Sequence, residues 1–247
     1  MRIKLICCDV FLRIICRLVS ESENIVDVEF VPMLAHNEPD KLREDLQRRI
    51  NQSVKMRDYD AIVLGYGLCG NATAGLTAPV KLIIPRAHDC CTILMGSGKR
   101  FMKEFGDALS TRWSANGYFE RCHMINNNYD EYQTVSYKTK KEYIDLVEKF
   151  GEDNAEYVWE TMHPAVEMKE SVYIHIDGFE YSQSRERYRE MILSRDKEIR
   201  EVQGSIALLD EMVNGPWDES RFLTVEPGKK IAPLYDMERV ITAEKHL

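Results

Sequence analysis

Two short stretches of this chain concentrate side chains that can do chemistry: Gly65-Tyr66-Gly67-Leu68-Cys69-Gly70-Asn71 and Ile84-Pro85-Arg86-Ala87-His88-Asp89-Cys90-Cys91. A third cysteine, Cys8, ends an apolar run over residues 3–8 and is followed by Asp9. A thiol becomes a strong nucleophile or metal ligand once it loses its proton, and thiolates are soft ligands for zinc and for iron–sulfur iron. Three thiolates sharing a pocket repel one another, and a bound cation or cluster removes that penalty. Three cysteines leave one coordination position for His88 or an exogenous ligand, and an open position marks a working centre rather than a structural one. Around this set, Arg86 is expected to anchor an anion or to pair with Asp89, and Asp89 to cap a helix Cys90–Met95. Tyr66, Gly67 and Gly70 belong to a turn that brings backbone close to whatever Cys69 holds.

Taken singly, these residues have plainer readings. Free cysteine is among the most buried residue types, so any one of the three is most simply a core residue. His88 fits a turn residue as well as a ligand or an acid/base group. Gly65-x-Gly67-x-x-Gly70 has the spacing of a dinucleotide fingerprint, but it follows the third strand of the pattern below, not the first. Its only acidic partner, Asp89, falls in a turn. No CxxC pair is present. Cys7, Cys16, Cys91 and Cys122 read as packing residues, His123 with Cys122 as a second candidate ligand pair, and His163 as a helix terminus.

The elements that must position the three thiols repeat regularly. Residues 3–8, 26–31, 61–65 and 80–84 are apolar runs of strand type, stopped by Pro32, by a glycine-rich turn and by Pro85. Between them, Phe11, Leu12, Ile15, Leu18 and Val19 recur at helical spacing, and Leu42, Leu46 and Ile50 recur every fourth residue. Residues 70–76 leave room for a two-turn helix. This βαβαβαβα order implies a mostly parallel sheet with right-handed crossovers, of the Rossmann-like, doubly wound α/β type. With the strand order 2-1-3-4 common in such folds, strands one, three and four are neighbours about 5 Å apart. Cys8, Cys69 and Cys90 then meet at one sheet edge, where ligands of open α/β sheets bind. Each precedes a predicted helix whose N-terminus favours the thiolate.

Beyond about residue 98 the pattern loosens into a helical C-terminal elaboration of a single α/β domain spanning residues 1–247, with the core sheet in 1–100. Helices are expected over 99–109, 137–150, 152–162, 182–202 and 205–213, strands over 172–176 and 222–225, and an irregular aromatic segment over 111–120. Asn126-Asn127-Asn128 reads as a turn. Of the 247 residues 44% are hydrophobic and 30% charged, with a net charge of −8, which excludes a disordered chain and argues against general nucleic-acid binding. No apolar run is long enough to span a membrane, and Asp9 and Arg13 break any signal-peptide reading of the start, so a cytoplasmic protein is expected. The seven cysteines are an odd number, and a reducing cytosol disfavours disulfides.

Tyr66-Gly67-Leu68-Cys69-Gly70-Asn71, Gly75-Leu76, Ile84-Pro85-Arg86-Ala87-His88-Asp89-Cys90, Gly96-Ser97 and Cys8-Asp9 together resemble the domain-of-unknown-function family numbered 1638. The resemblance runs from the first strand to about residue 200. It departs from the family pattern at Asn116, Tyr118 and Cys91, where proline, tryptophan and an aliphatic residue are usual. It implies that Cys8, Cys69, His88 and Cys90 belong to a shared metal or cluster site. It also implies a place beside corrinoid-dependent methyltransferase systems, with a corrinoid protein or a methyltransferase as partner; a homo-oligomer is compatible with it.

The leading expectation is therefore an iron–sulfur cluster or zinc held by Cys8, Cys69 and Cys90, with His88 as fourth or outer ligand, serving methyl-transfer or redox metabolism. The rivals are a metal-free enzyme with Cys69 or Cys90 as nucleophile and His88 as base, and a non-catalytic partner of a methyltransferase.

Overall fold

The computed structural model describes residues 1–106, 111–121, 141–162, 170–181, 183–195, 197–234, 236 and 238–246. The expected turn at Asn126–Asn128, Cys122, His123 and His163 lie outside the described residues.

The central sheet is built from β1 (Arg2–Cys8), β2 (Ile25–Val31), β3 (Ala61–Gly65), β4 (Lys81–Pro85) and β8 (Phe222–Val225) in the order β2-β1-β3-β4-β8. The first four are parallel, and β8 closes the edge antiparallel to β4, with Pro85 opposite Phe222. β3 is buried at every residue and β1 from Leu5 to Cys8, the continuous apolar pattern of a parallel sheet covered on both faces. In register, Cys7 lies opposite Gly65 and Cys8 opposite Val31, so the sheet's carboxyl edge is level across β2, β1 and β3. A side chain at Gly65 would meet Cys7 Sγ at 2.4 Å, so glycine makes room for that thiol.

Helix α1 (Leu12–Glu21) buries Ile14, Ile15 and Leu18, and α2 (Pro39–Met56) buries Leu42, Leu46 and Ile50 along one stripe, with Pro39 in its first turn. Helix α3 (Cys90–Met95) begins at its cap, Asp89, whose Oδ1 accepts from the Thr92 amide at 2.8 Å and the Thr92 hydroxyl at 3.0 Å. No helix forms over residues 70–76; the chain there runs in turns. Cys69, Gly70 and Asn71 all take positive φ (47°, 63° and 70°), which a right-handed helix does not accept.

The second half differs more from the sequence reading. After α4 (Gly98–Phe105), the segment expected to be irregular contains β5 (Arg112–Ala115) and α5 (Asn116–Arg121). The expected fifth strand is β6 (Glu170–His175), but it joins β5 and β7 (Glu198–Gln203) in a separate parallel sheet of order β5-β6-β7. The long helix expected over 182–202 is instead α8 (Ser184–Leu193) followed by β7. Its charges, spaced as a solvated helix face would be, are spent across strands: Arg200 pairs with Glu170 of β6 at 2.6 Å and with Glu104 at 3.2 Å. Helices α6 (Lys141–Phe150) and α7 (Glu152–Met162) pack on each other through Tyr143, Ala155 and Trp159, whereas one buried cluster runs through both sheets. Helix α9 (Ala207–Asn214) lies against α1 and α3. The antiparallel pair β9 (Lys229–Pro233) and β10 (Ile241–Lys245) ends the chain and was not foreseen.

Arg86 ties this C-terminal segment to the core. Its guanidinium donates to the carbonyls of Glu219 (2.7 Å), Arg239 (3.0 Å) and Ile241 (2.6 Å). It is a strut with its donors spent on backbone, which replaces the expectation of an anion anchor or an Asp89 pair. Arg86→Ala is expected to cost about 2 kcal/mol by stranding those carbonyls. The urea midpoint should fall, and limited proteolysis should move to residues 226–246; an unchanged midpoint would show that the strut is dispensable.

Candidate functional site

The loops after β3 and β4 are zipped together by their backbones. The Leu68 amide donates to the Ala87 carbonyl at 2.9 Å and the Cys69 amide to the His88 carbonyl at 2.8 Å. Gly67 allows this approach: a Cβ there would lie 2.6 Å from Asp89 N, 2.7 Å from Ala87 O and 2.8 Å from the His88 carbonyl carbon. The zipper carries Cys69 into left-handed backbone, where a non-glycine residue is strained by about 1–2 kcal/mol. Strain of this kind persists where surrounding contacts over-determine the residue, and it clusters at functional sites.

The three cysteines of the sequence reading come together here. Cys8, Cys69 and Cys90 are 2%, 8% and 4% exposed, and the thiols of Cys8 and Cys69 both hydrogen-bond to Cys90 Sγ. The hydroxyl of Tyr118 donates to the same sulfur. These three donors, with the positive field of His36 added, hold the Cys90 thiol well below its ordinary range, although burial acts against them. Cys8 and Cys69 are held well above theirs, first because each donates to Cys90 and then by burial. Of the three, Cys90 alone stands at the N-terminus of an α-helix as expected, whereas Cys8 precedes a 3-10 turn (Asp9–Phe11) and Cys69 a run of turns.

Four further groups reach the cluster: Tyr118 and His36 from elements the sequence reading did not connect to it, and Asp9 and Tyr66 from the stretches it singled out. Tyr118 is carried by α5, which lies so close to the 3-10 turn after β1 that a Cβ on Gly117 would fall 1.8 Å from Val10 O. Trp113 braces its ring edge-on at 4.5 Å. His36 follows β2 in a second 3-10 turn (Met33–Asn37), its Nδ1 against the Met33 carbonyl. Asp9, held above the usual carboxylate range by burial, accepts from the Met33 amide at 2.8 Å. It also lines a cavity of about 30 Å³ shared with Arg13, Asn116, Glu120, Arg121 and Glu180, which has room for about one water. The fourth group, Tyr66, was expected only as part of the turn. It is 2% exposed, and its hydroxyl is buried without a hydrogen-bond partner among the described residues. Burial and then the sulfurs of Cys8, Cys7, Cys90 and Cys69 raise its titration far above the phenol range.

His88 contributes its carbonyl to the zipper, while its buried Nε2 has no hydrogen-bond partner among the described residues; His36 is the imidazole whose charge acts on Cys90. Asp89 is the cap of α3, as expected. Gly70 supplies a left-handed turn with space above it, the nearest atom to a Cβ being Pro39 Cγ at 3.6 Å. Of the cysteines read as packing, Cys7 and Cys91 are buried, whereas Cys16 is exposed on α1. Among the described residues, no group of three or more His, Cys, Asp and Glu side chains stands arranged around a metal position as it is. The thiols form an open chain with Cys90 in the middle.

The titration pattern fixes how stability should vary with pH in metal-free protein. A group whose folded pKa is raised stabilises fully below its unfolded value, near 8.5 for a thiol, and loses that contribution as pH rises through the folded value. Cys8, Cys69, Cys7 and Cys91 all act in this sense. Cys90 acts oppositely, its contribution being present above its unfolded value and lost as pH falls through its folded one. The urea midpoint should therefore fall between about pH 8.5 and 10, more steeply than in a Cys8→Ser/Cys69→Ser variant; equal slopes would contradict the assignment.

The fold and site define a mixed α/β protein with a mostly parallel central sheet and a buried three-cysteine cluster at its carboxyl edge. The chain belongs to the family described as protein of unknown function, DUF1638, whose model matches residues 30–213. The matched range contains Tyr66, Cys69, Cys90 and Tyr118 and begins after Cys8 and Asp9. A search of curated proteins and a search of solved structures each found no match. Among the described residues, no helix is long and apolar enough to cross a membrane.

Proposed function

We propose that this is a metal-binding protein in which Cys8, Cys69 and Cys90 hold one soft ion, zinc in first place, at the edge of a Rossmann-like, doubly wound sheet. The observation that carries the reading is the meeting of three buried thiols, from three adjacent strand ends, at Cys90 Sγ. The chemistry of the donor set suits such an ion, being all sulfur and enclosed, although the three thiols as they stand do not surround a metal position. An S–H···S contact also separates two sulfurs about as far as a tetrahedral zinc does, roughly 3.8 Å for Zn–S bonds of about 2.3 Å. An iron–sulfur cluster is the second candidate occupant; it spreads its cysteines more widely, so the thiols would have to move apart. For a single ion, rotation of Cys8 and Cys69 closes the open chain.

A thiolate-held zinc with a free position acts as a Lewis acid that lowers the pKa of a bound thiol or water. The chain's own residues hold and tune the centre. Cys90 presents a ready thiolate, Tyr118 donates to it, and Asp89 fixes the start of α3 from which it projects. We extend the reading to methyl-group or redox chemistry in the cytoplasm, beside a corrinoid protein or a methyltransferase. That extension rests on the family resemblance alone, and co-purification with such a partner tests it.

Metal analysis of anaerobically purified protein tests the centre itself. About one equivalent of zinc, or iron with sulfide for a cluster, is expected, and it should be lost in Cys69→Ser. Less than about half an equivalent of any transition metal, with Cys69→Ser unchanged in folding and spectrum, overturns it.

A second reading is favoured by one observation: hydrogen bonds from Cys8, Cys69 and Tyr118 hold the Cys90 thiol well below its ordinary range. In it, Cys90 is the nucleophile of a metal-free enzyme. Stoichiometric alkylation of Cys90 by iodoacetamide near neutral pH, with no protection by added zinc, supports this reading against the first.

A further inference from the structure

We infer that Cys69 and Cys90 form a reversible dithiol–disulfide couple, closed by a small hydroperoxide and reopened by a dithiol. The couple does not depend on the metal reading above.

The packing of the two loops carries it. The Cys69 amide donates to the His88 carbonyl at 2.8 Å, and Cys90 stands two residues further on, at the first position of α3. The Leu68 bond to Ala87 at 2.9 Å and the close contact at Gly67 hold the same two stretches together. A disulfide needs Cα atoms within about 7 Å, a separation that loops packed backbone to backbone supply without unfolding. Inside this frame the Cys69 thiol hydrogen-bonds to Cys90 Sγ, both side chains belong to one buried cluster, and both are free thiols.

The other cysteines are placed less well. Cys7 turns to the opposite face of β1, its thiol beside Gly65 and donating to the Cys8 carbonyl at 3.4 Å. Cys16 is exposed on α1, and Cys91 projects from α3 about 100° round from Cys90. Cys8 also reaches Cys90, but it ends a strand hydrogen-bonded on both sides, to β2 and β3. Cys69 lies in a turn and is 8% exposed against 2% for Cys8, with open space above Gly70 beside it. Its side chain has room to close the roughly 2 Å that separates a thiol contact from an S–S bond.

Cys90 attacks the hydroperoxide as thiolate: an S–O bond forms, the O–O bond breaks, and the departing oxygen takes the proton that Cys90 gave up. Cys69 then attacks the sulfenic sulfur of Cys90. The S–S bond forms, and the sulfenic oxygen leaves as water with the Cys69 proton. Two thiols have lost two electrons, and the peroxide has gained them.

Full-length protein freed of metal by a chelator is given about one equivalent of hydrogen peroxide, quenched in acid and mapped by non-reducing mass spectrometry. The expected product is tryptic peptide 58–81 joined to 87–99, lighter by the two lost hydrogens and separated again by dithiothreitol. Cys91→Ser should keep the link. In Cys69→Ser, oxidation should stop at a sulfenic Cys90 that dimedone traps. Peptide 5–13 joined to 87–99 would assign the couple to Cys8 and overturn the inference. So would a link that survives in Cys90→Ser, sulfinic acid on Cys90 without a link, or thiols left unchanged. The wild-type map alone reads the first and the last two of these, whether or not a variant folds. Metal content is measured separately, so failure of the couple and failure of the metal reading are told apart.

Discussion

Replacing Cys90 with alanine is expected to abolish stoichiometric metal binding while leaving the protein folded. Structural zinc sites bind with about 10–16 kcal/mol, so one ligand of four accounts for roughly 3 kcal/mol, or two orders of magnitude in affinity. Cys8→Ala and Cys69→Ala should each show a loss of that size. Cys90→Ala should exceed it, because both other thiols converge on this sulfur. The metal-free variant should stay folded but lose about 1–3 kcal/mol, since the buried Tyr118 hydroxyl is left without its acceptor. Competition against a chromophoric chelator measures the affinity, and circular dichroism with urea measures the fold. Wild-type affinity in Cys90→Ala would dismiss the thiolate centre, whatever the other two variants do.

Gly67→Ala is expected to be strongly destabilising, at about 3 kcal/mol or more. Overpacking a core with a methyl costs about 1–3 kcal/mol when side chains can yield. Here the three nearest atoms are backbone, at 2.6–2.8 Å, and they belong to the strand-to-helix connection that presents Cys90. Relief requires opening the zipper, which breaks the Cys69 amide bond to His88 and separates Cys69 from Cys90. Metal affinity should therefore fall together with the urea midpoint. Gly75→Ala is the matching control. Its φ is +85° but its nearest neighbour is a single side-chain atom at 4.0 Å, so only the left-handed backbone penalty of about 1–2 kcal/mol applies, with metal binding retained. Equal losses in the two variants would show that backbone conformation, not the loop contact, governs the site.

Arg200 and Tyr118 show where sequence reading ran out. On sequence, Arg200 sits in a run of Arg and Glu at helical spacing. Its partner Glu170 is 30 residues away, and residues 198–203 are a strand because their backbone pairs with β6. Tyr118 carried no signal of its own beyond standing where the family has tryptophan. Its hydrogen bond to Cys90 exists because Gly117 lets α5 lie against Val10, a contact between segments more than a hundred residues apart. His36 and Asp9 meet near Cys90 for a similar reason, through the chain that follows β2.

The sequence by itself determined the parallel arrangement of β1 to β4 and the edge at which Cys8, Cys69 and Cys90 end. Apolar period and turn residues are local, and a mostly parallel sheet admits few strand orders. It also carried the cap at Asp89, whose partner is three residues away. Only the tertiary structure decided that Cys90 is the sulfur on which the others converge, because that depends on donors from β1, the β3 turn and α5 meeting there. It also turned Arg86 from an anion anchor into a strut, since the carbonyls that take its donors lie 133 to 155 residues further along the chain.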